Sequence, residues 1–211
     1  MDFIKEPMAI ENRSMELIVP HLAALGLDEA ATKVYSRLIH ASGDVGYAPI
    51  IRVHPEAIAV AMDALRKGAH VYTDVEMVRT GINKKKLASF GGEVHCLVAD
   101  PDVAARAKRE GITRSMIAMR QFGKNLNGSI VAIGNAPTAL FEVLRMVREE
   151  GIRPACIVGI PVGFVGAAES KAELAANGIV PYITVEGTKG GSPIAAAAVN
   201  AMMYLIDNTR P

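Results

Sequence analysis

The stretch Ile130-Val131-Ala132-Ile133-Gly134-Asn135-Ala136-Pro137-Thr138 runs from four apolar residues through a glycine to a proline suited to a first helical turn. It reads as strand, tight turn and helix start. The same grammar recurs twice downstream. Ala155 to Val158 lead into Gly159-Ile160-Pro161-Val162-Gly163-Phe164-Val165-Gly166, and Tyr182 to Val185 lead into Gly187-Thr188-Lys189-Gly190-Gly191-Ser192. In open α/β sheets, ligands bind beyond the carboxyl ends of the strands, where main-chain N–H groups at helix starts are reachable when no Cβ blocks them. Three such loops in succession predict one continuous rim bearing open amide donors.

Working outward, the alternation continues toward the N-terminus. Strand-like runs at Ile50 to Val53, Ala69 to Thr73 and Glu93 to Val98 are separated by helical patterns at Pro55 to Lys67, from Asp74 onward, at Pro101 to Gly111 and at Thr113 to Leu126. This order predicts an α/β fold, a mainly parallel sheet flanked by helices on both faces. An N-terminal helical segment precedes it, because Leu17, Ile18, Leu22 and Leu25, then Ala31, Val34 and Leu38, recur at helical spacing. Pro20 interrupts the first part and Asp28 is placed to cap the second. The last helix, Pro193 to Ile206, is apolar nearly all round, which suits either an internal core helix or a face covered by a second subunit. With no linker and no internal repeat, residues 1–211 read as a single domain.

Composition narrows the function classes. Half of the 211 residues are apolar and the formal charge is +1. Such a balance supplies no general field for phosphates, so nucleic acid is not expected as a partner and an anionic ligand must be met by local Arg or Lys. Cys96 and Cys156 lie in apolar runs, as buried reduced thiols do. The start lacks a basic-then-apolar leader and the apolar stretches are too short to span a bilayer, so the expectation is a cytoplasmic protein without a membrane partner.

Familiar cofactor motifs fail on these loops. Gly159, Gly163 and Gly166 are spaced too widely for a dinucleotide fingerprint, and Lys189 precedes its double glycine, against the order of a phosphate loop. No cofactor is expected. His21, His40, His54, His70 and His95 show no paired-ligand spacing, and His95 and Cys96 point to opposite faces of a strand, so no metal is expected either. What survives is a rim carrying Asn135, Thr138, Ser170, Lys171, Lys189 and Ser192, suited to a ligand with several oxygens.

His40 stands off the apolar stripe of Ala31, Val34 and Leu38, in the last turn of a helix that Gly43 should stop. The negative helix end and nearby Asp44 favour an imidazolium there, as a general acid requires. Position alone leaves two readings, a solvated helix-end histidine and a catalytic one. Arg13, Arg114 and Arg120 lie near or at helix starts, where arginine can grip carboxylate; Arg114 and Arg120 fall on different helix sides. Lys84 to Lys86 read as a solvated basic face.

Five strings occur in order: Leu38-Ile39-His40-Ala41-Ser42-Gly43-Asp44, Asp74-Val75-Glu76-Met77-Val78-Arg79-Thr80-Gly81-Ile82, Gly134-Asn135-Ala136-Pro137-Thr138-Ala139-Leu140, Pro161-Val162-Gly163-Phe164-Val165-Gly166-Ala167-Ala168-Glu169-Ser170-Lys171 and Gly187-Thr188-Lys189-Gly190-Gly191-Ser192. Together, from about Ile10 to the C-terminus, they resemble the precorrin-8X / cobalt-precorrin-8 methylmutase family of cobalamin biosynthesis. The resemblance implies an isomerase that moves a methyl group from C-11 to C-12 of a corrin precursor by a 1,5-sigmatropic shift. It implies a corrinoid substrate and a homodimer, places the catalytic histidine at His40, and matches Ser14, Thr80 and Arg114 to the substrate pocket. With the loop residues Asn135, Thr138, Gly163, Lys189, Gly190 and Ser192, these make up the expected substrate-binding set. Such a shift needs neither redox cofactor nor nucleophile, only one acid and tight positioning, which agrees with the missing motifs. Two rivals remain: a tetrapyrrole carrier needing the same pocket without His40, and an enzyme acting on a phosphorylated metabolite at the three loops.

Overall fold

A computed structural model describes residues 3–207. Six strands form one sheet: β1 (Ile51–Val53), β2 (Val71–Thr73), β3 (Val94–Cys96), β4 (Ile130–Ile133), β5 (Cys156–Gly159) and β6 (Tyr182–Val185), in the spatial order β1-β6-β5-β4-β2-β3. All neighbours pair in parallel except β1, which runs antiparallel to β6 through Ile51↔Val185 and Val53↔Ile183. The β4 and β6 stretches match the sequence reading residue for residue. β1, β2 and β3 are shorter by one to three residues, where ladder bonding stops before the apolar pattern does, and β5 keeps its length but lies one residue further on.

The strand side chains alternate between two cores, as the period of two requires. Ile130, Ala132, Cys156, Val158, Ile183 and Val185 face one core; Val131, Ile133 and Ile157 face the other. The first core is covered by α2 (Glu29–Ser42), α3 (Ala57–Arg66), α4 (Glu76–Gly81) and α10 (Ser192–Ile206), and the second by α7 (Arg114–Phe122), α8 (Pro137–Glu149) and α9 (Ala167–Ala176). Helix α5 (Lys84–Ser89) adds Leu87 to the first core, and α6 (Pro101–Glu110) packs Val103 and Ala107 on Ile117 and Ala118 of α7.

One open reading closes here and one is refined. Helix α10 is an internal helix of the single chain, with Ile194, Ala195, Ala198, Val199, Met202 and Met203 buried against α2, α3 and α4. The N-terminal helical region is three pieces: α1 (Pro7–Ile18), a 3-10 segment from Val19 to Leu25 that begins where Pro20 removes a helix hydrogen bond, and α2, which Asp28 caps by accepting from the Ala31 amide (2.7 Å). Among the described residues, no helix is long and apolar enough to cross a membrane.

Chain direction across the sheet changes between β2 and β4: the path from β2 leads outward to β3, and the path from β4 leads the other way to β5. The crevice beyond such a switch point is where doubly wound sheets bind ligands.

Candidate active site

That crevice is filled by the protein's own carboxylate. Asp74, which follows β2 and is fully buried, accepts the amide hydrogens of Gly134 (3.0 Å), Asn135 (2.9 Å) and Ala136 (2.7 Å). It occupies the anion position at the start of α8 that a phosphate takes in nucleotide-binding folds. Burial pushes its carboxyl above the ordinary carboxylate range, and the three amides pull it back. The expectation of open amide donors in the first loop is therefore corrected: those donors are spent internally.

The three loops do form one rim, by close main-chain contact. A Cβ on Gly134 would lie 2.7 Å from Ser192 Cα at the head of α10, and a Cβ on Gly190 would lie 2.6 Å from the Ile160 carbonyl oxygen. The Gly191 amide donates to Ile160 O (2.9 Å) and the Gly163 amide to Thr188 O (3.1 Å). Gly190 thus serves close packing at positive φ, whereas Gly163, also at positive φ but with open space around it, spends its amide on Thr188 rather than presenting it. Ser192 is buried at the seam between the first and third loops.

The third loop reaches the end of α2. Lys189 Nζ bonds Asp44 Oδ2 (2.5 Å) and stands 5.3 Å from the centre of the Tyr47 ring. The lysine bond and the Gly46 amide hold the Asp44 carboxyl below its ordinary value, and Asp44 in turn raises Lys189. Asp44 therefore turns to Lys189, not freely toward the helix end. Behind the loop, Lys171 of α9 is buried and donates to the Lys189 carbonyl; burial pushes its ammonium down to about 8.

His40 lies in the last turn of α2, exposed, ahead of Gly43, whose left-handed conformation (φ 65°) stops the helix. The helix side off the apolar stripe is itself partly internal, since Ser36, one turn before His40, is buried. A cleft of about 260 Å³ brings His40 together with Ser14, Ile39, Gly43 and Asp44. Ser14 comes from α1, which Glu11 ties to Arg37 of α2, and its hydroxyl donates to its own helix at Ile10 O (2.9 Å).

The remaining residues group around the first loop. Thr138 shares a hydrogen with Thr113 (2.9 Å), the cap of α7, so exposed Arg114 stands beside the start of α8 with the exposed side chain of Asn135. Arg120 is directed elsewhere, to Glu142 (2.9 Å) and Glu110 (3.1 Å), as opposite helix sides require. Thr80 is exposed on α4, its hydroxyl donating to Glu76 O (2.9 Å). Lys86 of the basic run pairs with Asp207 and so is not purely solvated. The sequence reading missed the roles of Asp74 and Tyr47, and it put Ser170 and Lys171 on the rim, whereas both are buried behind it and donate to main-chain carbonyls. An aspartate ending a strand was the visible signal for Asp74; partners 60 or more residues apart hid its bonds.

Larger cavities lie elsewhere: about 610 Å³ between α2 and α3, near Tyr35 and His54, and about 630 Å³ between α9 and β6, near Lys171 and Thr184. Both lack the combination of an exposed helix-end imidazole and an ion pair to the loop rim. The His40 cleft is smaller than the roughly 300–1,000 Å³ of sites that enclose a drug-sized ligand, so a large ligand must lie across it rather than inside it.

Comparison with known proteins identifies a family and a shared fold. The family described as precorrin-8X methylmutase matches residues 9–205. A cobalt-precorrin-8 methylmutase of Priestia megaterium is 42% identical over 203 residues, covering 96% of this chain and 90% of the relative. A precorrin-8X methylmutase of Pseudomonas aeruginosa is 42% identical, covering 96% and 97%. The crystal structure of a precorrin-8X methylmutase from Thermus thermophilus superposes with a TM-score of 0.87 at 36% identity, covering 96% and 97% of the two chains.

Proposed function

The chain belongs to the precorrin-8X methylmutase family, isomerases of corrin biosynthesis, and on that premise we propose that it moves a methyl group from C-11 to C-12 of precorrin-8X or its cobalt-bearing counterpart, with His40 as the general acid. The bond from the methyl carbon to C-11 breaks as the bond to C-12 forms, so no electrons are gained or lost overall. His40 donates a proton or hydrogen bond to the macrocycle, which draws electron density from the ring and eases the migration. The rest of the site holds the reacting carbons in register.

One observation carries this reading: an exposed helix-end histidine faces the same cleft as Ser14 and Asp44, and Asp44 is fastened by Lys189 to the glycine-rich rim. Because the first-loop amides are spent on Asp74, the carboxylate arms of the substrate are met by side chains: Lys189, Arg114 and Asn135, with the hydroxyls of Ser14 and Thr80 once they rotate away from Ile10 O and Glu76 O. Gly163, Gly190 and Ser192 set the rim's shape, and Thr138 steadies it through Thr113. The enzyme acts as one domain in the cytoplasm and as a homodimer. The small cleft supports a second subunit completing the site, as do Phe164 and Val165, 96% and 89% exposed on the second loop.

The test is His40→Ala assayed by the visible spectrum of the corrinoid. Binding should persist while turnover falls by about 10²–10⁴-fold, the usual contribution of a general acid. Turnover at the original rate would remove His40 from the chemistry.

A further inference from the structure

At the amino-terminal ends of β2 and β3, opposite the rim, His70, Glu93 and His95 meet with one ligand atom from each lying within 4.8 Å of the others. The residues are 23 and 2 apart in sequence, and strand pairing brings them together. Tyr72 is the register partner of His95, and two steps back the same register sets His70 beside Glu93; residues two apart share a face. We propose that these three side chains form a binding site for a divalent transition-metal ion of the zinc type, separate from the methyl-transfer site.

The donor set fits that class. Two imidazoles and one carboxylate are borderline and hard ligands of the kind zinc takes, leaving a fourth position for water. With metal–ligand bonds of about 2.0–2.2 Å, two donors on one ion stand at most about 4.4 Å apart. His95 Nε2 and Glu93 Oε2 are 3.9 Å apart, already inside that span. The His70 and His95 rings are 5.1 Å apart, and Tyr72 stacks on His95 at 5.0 Å, which fixes the ring's orientation. Without metal, His70 Nδ1 accepts from the Glu93 amide (3.1 Å). Metal binding either takes that lone pair or turns the ring to present Nε2; both release an amide of an exposed residue, which water can satisfy.

The consequence is structural. Strand β3 is a three-residue edge strand, and an ion shared by His70 and the two β3-side ligands clips it to β2. The test uses the tag-free full chain, stripped of metal with a chelator and titrated with Zn²⁺ at neutral pH. The site predicts one saturable equivalent, a rise in melting temperature, and, with Co²⁺ in place of Zn²⁺, visible absorption from a low-coordinate centre. His70→Ala and His95→Ala should each weaken Zn²⁺ binding by more than the roughly 10- to 100-fold that losing an outer-sphere partner costs. Glu93→Gln, an exposed change that spares the strand, should weaken it too, and His54→Ala should not. Absence of saturable binding, or equal affinity in the His70, His95 and Glu93 variants, would overturn the assignment.

Discussion

Asp74 shows how one side chain can decide what a loop is for. A lone buried carboxylate is costly unless charge or amide donors compensate, and here three amides do so. Asp74→Asn keeps the size but turns an NH₂ toward these donors, so stability should fall by about 1–3 kcal/mol in urea unfolding; no loss would mean the amides find other partners. Lys171 carries a different signature. Its folded value, about 8, lies below the 10.5 of an unfolded lysine, so between these values the unfolded chain holds more protons than the folded one. The burial cost is fully present below pH 8 and is relieved as pH rises toward 10.5. Wild type should therefore gain stability relative to Lys171→Met across that window, read from unfolding free energies at pH 7 through 10; a constant difference would contradict it. Lys189→Ala should raise KM more than it lowers kcat, since it removes a carboxylate grip and the Asp44 tether but no proton donor.

The elements were legible where pattern is local. Ile130–Ile133 and Tyr182–Val185 are strands because short apolar runs end at turn residues, and α2 stops at Gly43 because glycine alone takes φ 65° freely there. The antiparallel return of β1 beside β6 and the union of His70 with Glu93 and His95 were not, because register joins residues whose separation carries no periodicity. Likewise, the glycines announced a rim, but whether their amides face ligand or protein depends on a partner such as Asp74 brought in from another strand. His40 was legible as a helix-end histidine; its company with Ser14 required the packing of α1 on α2. The tightness of the rim is itself testable. Gly134→Ala would drive a Cβ to 2.6 Å from Val78 Cγ2 and 2.7 Å from Ser192 Cα, and overpacking of this kind costs about 1–3 kcal/mol, measurable by denaturant titration.

Taken whole, the molecule keeps two cores on the two sheet faces and gathers its rim where β4, β5 and β6 end. A corrin ring is too large for the cleft beside His40, and the exposed Phe164 and Val165 offer apolar surface for a second copy to cover. Sedimentation should find a species of twice the 22.4 kDa chain mass, and Phe164→Asp with Val165→Asp should shift it toward the monomer; a wild-type monomer at micromolar concentration would leave the site to one chain. The deciding measurement is a crystal structure with the corrinoid product bound. The ring is expected against the His40 imidazole, with carboxylate arms toward Lys189 and the rim; a ring seated in the α2–α3 cavity or the α9–β6 crevice, beyond hydrogen-bond or single-water reach of His40, would contradict the mechanism.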